Sequence, residues 1–229
     1  IRCPNNLAET LTQSETSAWD VIDADHPVVN LHNEVMEAPQ ATAFVNFANA
    51  TFGYGSFISS MTQEEILQMC CPEFNIGMLF IGTMKDNEVV NVRGAKRYTT
   101  YTGYGKTYKC TGYHEYTVGE PIQDICTMDA VFDNHFSEES QLRDIGKAYA
   151  SWKRLSEKQN NVVISTGKWG CGGFGGVPWH KFLQQVLAAR DDGLRHAHAV
   201  AGFEPGHGGG VAHGQGDAPR AAAQQQRRP

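Results

Sequence analysis

The chain has 229 residues and a net charge of −6, with 25 acidic against 19 basic side chains. A negative balance of that size repels polyanions in bulk, so it argues against a general nucleic-acid binder and requires any anionic ligand to be captured locally. The 41% hydrophobic content is ordinary for a globular domain, no apolar run approaches the ~18 residues of a transmembrane helix, and the length suits one α/β domain with a sizeable core.

Taken in order, residues 1–26 are polar and read as an N-terminal extension with a short helix over Glu15–Ile22. Val28–Leu31 and Ala43–Phe47 read as strands joined by a polar loop. Gln63–Cys71 reads as a helix stopped by Pro72. The apolar stretch Glu73–Ile81 reads as a short strand, and Glu88–Val92 as an alternating strand followed by a loop over Gly94–Gly105. Asp124–Val131 reads as a strand and Glu138–Ser156 as a helix. Asn161–Ser165 is a continuous apolar strand leading into a glycine loop. Trp179–Ala189 is an amphipathic helix with Phe182, Val186 and Ala189 along one face. Residues 27–193 form the expected folded domain. Leu194–Pro229 is Ala, Gly, His, Gln and Arg with almost no large apolar residues, and is expected to be a disordered tail, since it cannot offset its ordering entropy by burial. The chain opens on Ile1, so a fragment or a processed form is expected.

Six cysteines lie without CxxC spacing, and Cys70 adjoins Cys71. That pattern favours reduced, buried thiols in an intracellular protein over a disulfide framework or a zinc site. His196, His198, His207 and His213 are irregularly spaced in the glycine-rich tail, so no metal site is expected there.

Two segments carry chemistry. In the first, the strand at Phe44 runs through the Gly53-Tyr54-Gly55 turn to a helix that opens with Gln63-Glu64-Glu65. Strand-to-helix junctions gather side chains and backbone N–H groups, which is where α/β proteins bind ligands. The plainer reading is a solvated helix start, because acids favour the first turn. Neighbouring helix residues project roughly 100° apart, so the two carboxyls cannot act alike; one is expected to act and the other to position. In the second, Gly170-Cys171-Gly172-Gly173-Phe174-Gly175, followed by Gly176, formally matches GxGxxG between a strand and a helix. Glycine N–H groups there could hold a diphosphate, as in a Rossmann dinucleotide site, or serve only tight turns. A Rossmann unit needs another strand after the helix, and none is legible. Tyr104, between Gly103 and Gly105, is a packed loop residue or a stacking platform.

The spacing from Gly53-Tyr54-Gly55 to Gln63-Glu64-Glu65 resembles the signature of the poly(ADP-ribose) glycohydrolases. Arg93–Gly105 is similar to that family's adenine-side segment, and Ser165–Gly176 to its diphosphate loop. Asp124–Ala130 and Gln141–Tyr149 fit in the right order, so the resemblance covers roughly Pro27–Ala189. It implies a macrodomain-like α/β/α sandwich with a mixed central sheet, incomplete here at its C-terminal end because no last strand is evident. It implies hydrolysis of ribose–ribose O-glycosidic bonds in poly(ADP-ribose), with release of ADP-ribose. By the same resemblance Glu65 is the general acid and Glu64 orients the ribose. Tyr104 stacks on adenine, Glu37 accepts from the adenine amine, and Asn49 contacts the distal ribose side. Gln63, Gly53, Tyr54 and Gly55 belong to the substrate site, together with the loop from Lys168 to Gly176, in which Phe174 packs against a ribose. The implied partners are poly(ADP-ribose) or ADP-ribosylated proteins, with no cofactor, no metal, no direct nucleic-acid binding and no membrane. A monomer in the nucleus or cytoplasm is expected.

Three positions depart from the family pattern. Asn46 stands where the family has an aspartate, which removes a carboxylate beside the site. Tyr54 replaces the middle glycine of the triplet, putting a bulky Cβ where positive φ is usual. Lys168 replaces an asparagine ahead of Trp169 and adds a cation near the diphosphate loop. Two alternatives stand beside the hydrolase: a non-catalytic ADP-ribose reader with the same pocket, favoured by Asn46 and Tyr54, and a Rossmann-type oxidoreductase.

Overall fold

The computed structural model describes residues 29, 36–37, 40–54, 60–158 and 161–191. Gly55, the 1–26 extension with its Glu15–Ile22 helix, the Val28–Leu31 strand apart from Val29, and the 194–229 tail with its four histidines lie outside the described residues.

The centre is a four-stranded mixed sheet. β1 (Ala43–Ala48) pairs in parallel with β5 (Asp124–Asp129) on one side and β6 (Ile164–Ser165) on the other, and β2 (Val90–Val92) pairs antiparallel with β5. A separate antiparallel hairpin joins β3 (Thr99–Thr102) to β4 (Lys109–Tyr113). Three α-helices follow in chain order: α1 (Gln63–Cys70), α2 (Glu138–Ser156) and α3 (Pro178–Asp191).

The alternation of β1 explains the layers. Ala43 and Val45 point with Cys126 and Met128 of β5 into a core closed by Trp152 and Leu155 of α2 and Ala188 and Ala189 of α3. Phe44 and Ile125 point the other way, into a second core with Ile66 and Leu67 of α1, Phe52 and Phe74. β5 is buried along its whole length and β1 along nearly all of it, as parallel strands covered on both faces are. The result is the expected α/β/α arrangement around a mixed sheet.

The expected elements are mostly present with shifted ends. β1 runs one residue beyond the expected strand, α1 ends at Cys70 with Pro72 just after it, α2 has the expected bounds, and β6 shrinks to two residues. Two readings are corrected. Glu73–Ile81 is not a strand but lies mostly in a 3₁₀ helix, Pro72–Leu79. Proline supplies helical φ at a first position, and only Phe74 is buried while Ile76, Leu79 and Phe80 stay exposed, so the run has no face for a sheet. The supposed loop over Gly94–Gly105 contains β3, which takes Tyr101 opposite Cys110 and turns at Gly103 and Gly105, both at positive φ.

The inner face of α3 also differs from expectation. Ala189 is buried as expected, but Phe182 and Val186 are only half-buried, and the stripe turned to the core is Lys181, Gln184, Gln185 and Ala188. Polar side chains sit there because partners await them: Thr166 Oγ1 donates to Gln185 Oε1 at 2.5 Å, and Gln185 Nε2 donates to the Gly167 carbonyl at 3.2 Å. Among the described residues no strand follows α3, so nothing there completes a Rossmann unit. Cys70, Cys71 and Cys126 are buried free thiols as expected, whereas Cys110 is exposed on the hairpin.

Helix α2 carries a side-chain cap: Ser137 Oγ accepts the Ser140 N–H at 3.2 Å. Ser137→Ala is expected to cost about 1 kcal/mol of stability, the usual loss for a deleted N-cap. Urea unfolding checks this; an unchanged midpoint would show that the cap contributes nothing.

Candidate active site

The site is built where β1 hands over to α1. Gln63 bolts the two together: its Oε1 accepts the Phe47 N–H at 2.7 Å and its Nε2 donates to the Val45 carbonyl at 3.0 Å. Gln63 lines the cavity as expected, but both ends of its amide are spent on β1. Thr62 precedes the helix and reaches back to Glu65. Its N–H donates to Glu65 Oε2 at 2.5 Å, and its hydroxyl donates to the same oxygen. These bonds belong to a capping box, which ties down an otherwise orphaned helix end. Both bonds fall on Oε2, and Glu65 Oε1 accepts none from the described residues.

Glu64 is held differently. Its Oε2 accepts the Asn49 N–H at 3.2 Å, while Oε1 is buried without a partner. Burial pushes its carboxyl up to about 8, with the neighbouring Glu65 charge adding to the rise and the Asn49 N–H opposing it. Glu64 is therefore protonated at neutral pH and can donate as well as accept. The two acids differ as their spacing requires: one is buried and neutral, the other is tied to a helix cap.

Asn46 sits behind Glu64 and does not line the cavity. Its Nδ2 donates to Thr127 Oγ1 at 3.4 Å and its amide favours the ionised form of Glu64, against the burial that raises that pKa, while Oδ1 is buried without a partner. The turn before α1 is tight. Gly53 lies at φ +70°, and a Cβ there would come 2.4 Å from Met78 Sδ. Tyr54 lines the cavity and is not among the described residues at positive φ, so the feared clash of its Cβ does not arise. Among the described residues of this junction, the strained non-glycine is Met61, at φ 51°, whose carbonyl accepts the Gly105 N–H at 2.8 Å.

The glycine loop arrives from β6. Gly170 is at φ +70°, and a Cβ there would lie 2.5 Å from Ala130 Cβ. The Gly176 N–H donates to the Gly170 carbonyl at 2.9 Å and closes the loop's neck, while Gly175 donates to Gly172. Beyond the neck, the N–H groups of Gly172, Gly173 and Phe174 donate to no described residue. Successive unpaired N–H groups of this kind form an anion-binding concavity. Trp169 anchors the base by donating from Nε1 to the Met128 carbonyl at 3.0 Å. Phe174 packs on Phe132, and its carbonyl bonds His135 Nε2 at 2.7 Å.

Both segments line one cavity of about 1160 Å³. Of the residues expected at the site, Gln63, Glu64, Glu65, Asn49, Tyr54, Tyr104 and Lys168 line it, as do Gly170, Cys171, Gly172, Gly173 and Phe174. Gly53, Gly175, Gly176 and Asn46 are not among the lining residues. Glu37 is buried outside it, where its Oε2 accepts the Tyr101 hydroxyl at 3.1 Å. Tyr104, more than half exposed, forms part of the wall together with Tyr101. Sequence reasoning missed Thr62, Tyr101 and Met36. Only Thr62 had a readable signal, the Thr-x-x-Glu capping pattern. No group of three or more metal-ligating side chains occurs among the described residues.

Residues 16–197 match the family model for the catalytic domain described as poly(ADP-ribose) glycohydrolase, macro domain fold. Poly(ADP-ribose) glycohydrolase 1 of Caenorhabditis elegans is 30% identical over 184 residues, covering 71% of this chain and 24% of that protein. Poly(ADP-ribose) glycohydrolase 1 of Arabidopsis thaliana is 30% identical over 195 residues, covering 80% of this chain and 33% of that protein. The chain thus spans a quarter to a third of the length of these relatives. A macrodomain of Oceanobacillus iheyensis, solved with ADP, superposes with a TM-score of 0.51 at 10% identity over 78% of this chain and 83% of its own, a likeness of fold. On the match of sequence and fold together, this chain belongs to the poly(ADP-ribose) glycohydrolase family and carries its macrodomain.

Proposed function

We propose that this chain hydrolyses ribose–ribose O-glycosidic bonds of poly(ADP-ribose) and releases ADP-ribose. One observation supports the reading above the others: the acid pair of α1 and the unpaired N–H groups of the glycine loop, more than a hundred residues apart in sequence, face one cavity. A ligand with a diphosphate and a ribose bond to cleave needs that pairing. The phosphates sit on the N–H groups of the loop, with Lys168 at its base. The adenine lies toward Tyr104. The scissile ribose lies over Glu64 and Glu65.

The chemistry follows from the two carboxyls. In its protonated form Glu65 gives that proton to the leaving ribose oxygen as the bond to the anomeric carbon breaks and positive charge grows on the ring. Water then adds to the anomeric carbon and returns a proton to Glu65. Glu64, neutral at working pH, orients the ribose. Glu65→Gln is expected to lower kcat by about 10²-fold or more with ADP-ribose binding retained. Glu64→Gln keeps a neutral donor–acceptor and is expected to raise KM with a smaller change in kcat. The raised Glu64 pKa favours one rival assignment, Glu64 as proton donor, and a kcat loss in Glu64→Gln as large as in Glu65→Gln would establish it.

Glu64 also predicts a pH dependence of stability. Unfolded, it ionises near 4.5; folded, it ionises at about 8. Below the lower value both states hold the proton, and the group has no effect. Between the two values only the folded state holds it, so stability falls as pH rises through that window. Glu64→Gln does not titrate. Its thermal midpoint relative to wild type is expected to climb from about pH 5 to about pH 8; a constant difference would show that Glu64 is ionised in the fold.

A second reading, a reader that binds ADP-ribose without turnover, is favoured by the neutral amide of Asn46 beside Glu64. Asn46→Asp changes charge and hydrogen-bond direction at constant size. The added carboxylate should stabilise the developing positive charge and raise the rate. Single-turnover hydrolysis of poly(ADP-ribose) by both forms checks this. Two inert proteins that both bind ADP-ribose would decide for the reader.

A further inference from the structure

Beneath the glycine loop lies a buried ionic network that the proposed chemistry does not use. The side chains of Lys181, Asp144 and Lys147 are wholly buried and that of Asp129 nearly so. Lys181 Nζ donates to Asp144 Oδ2. The other oxygen, Asp144 Oδ1, accepts from Arg143 Nη1 at 2.9 Å and from the Val131 N–H at 3.1 Å. Arg143 Nη2 donates to Asp129 Oδ2 and Lys147 Nζ to Asp129 Oδ1, each at 2.5 Å.

Stability alone is a poor reason for such a network, since apolar residues of like volume often serve a fold equally well. Lys181 has a further handicap. It sits in the first turn of α3, its N–H bonded to the Val177 carbonyl at 3.0 Å. That is the positive end of the helix dipole, where a cation is disfavoured. A buried cation in that place calls for another reason.

Its surroundings supply one. A Cβ at Gly170 would come 3.5 Å from Lys181 Cε, and a Cβ at Gly176 would come 3.0 Å from it. The lysine stem therefore packs on the two glycines whose mutual hydrogen bond closes the neck of the loop. The ammonium lies 5.5 Å from the centre of the Trp169 ring. Asp144 is shared between Lys181 and Arg143, and Arg143 pairs with Asp129 and Asp86 as well. The lysine charge is felt in the loop: it favours the ionised form of Cys171, against the burial that pushes that thiol up to about 11.

We propose that Lys181 is a positioning residue of the anion subsite: its stem sets the neck of the glycine loop, and its charge, added to the α3 dipole, makes the N–H groups of Gly172, Gly173 and Phe174 a seat for a diphosphate. This rests on the proposed function, in that the loop takes the phosphates of an ADP-ribose unit. It also answers how a chain of net charge −6 can hold an anion with few basic side chains at the cavity.

The test is calorimetric titration of wild type and variants with ADP-ribose, ADP and adenosine, beside thermal unfolding. Lys181→Met alone would strand Asp144 as an unpaired buried charge, so the main variant is Lys181→Met with Asp144→Asn. It is expected to unfold cooperatively and to bind ADP and ADP-ribose about tenfold or more weakly, with adenosine binding unchanged and the salt dependence of ADP binding reduced. Asp144→Asn alone leaves the cation with less compensation and is expected to keep or raise ADP affinity. Equal ADP affinity in the double variant and wild type overturns the inference. So does a loss in Asp144→Asn as large as in the double variant, or an equal loss for adenosine, because either assigns the pair to folding. Wild type that binds neither ADP nor ADP-ribose would instead overturn the proposed function on which the inference stands.

Discussion

The parallel pairing of β1 with β5 is the constraint on which the site depends. Six residues of each strand run in register, from Ala43 opposite Asp124 to Ala48 opposite Asp129. Both strands therefore end at one edge of the sheet. The chain leaves β1 into the turn before the acid pair, and leaves β5 into the segment that carries Ala130 and Val131. β6, parallel on the other side of β1, delivers the glycine loop to the same edge. Loops that converge at the carboxyl ends of parallel strands make a crevice whatever their sequences; the sequences decide what fills it.

What fills it is a division of labour among buried polar groups. Gln63 spends its amide on β1, so the first turn of α1 cannot drift from the strand. Thr62 holds one oxygen of Glu65, and the Asn49 N–H holds one oxygen of Glu64. Each acid keeps its second oxygen out of those bonds. The difference between them is solvation: Glu64 is driven neutral by burial with the Glu65 charge adding to it. A protonated acid beside a second carboxyl is an arrangement that acid–base work on a sugar can use.

The polar interior of α3 belongs to the same economy of form. Lys181, Gln184 and Gln185 are buried where an amphipathic pattern would place apolar residues, and Leu183 and Leu187 are left about half exposed. Lys181 has Asp144 as its partner and Gln185 has Thr166, so the helix is held to α2 and to the loop after β6 by directional bonds as well as by packing. Directional bonds fix a register that apolar contact would leave looser.

Much of this was legible in the chain. The strands at Ala43–Phe47 and Asp124–Val131 were readable, Pro72 marked the end of α1, and the family resemblance brought the Gln63-Glu64-Glu65 and Gly170–Gly176 segments to one site. Local rules suffice there, because strand burial, proline geometry and glycine freedom are properties of a few neighbouring residues. Local rules failed at Pro72–Leu79, where an apolar run has no sheet to join, and at Thr99–Thr102, whose strand exists only because Lys109–Tyr113 lies beside it. They failed again at α3, whose hydrophobic period faces partly outward. The sequence by itself determined which residues could do chemistry and in which elements they stand. Only the tertiary structure decided which carboxyl is buried and neutral, which oxygens remain unpaired, and which cation lies under the glycine loop, because burial and pairing depend on residues far apart in the chain.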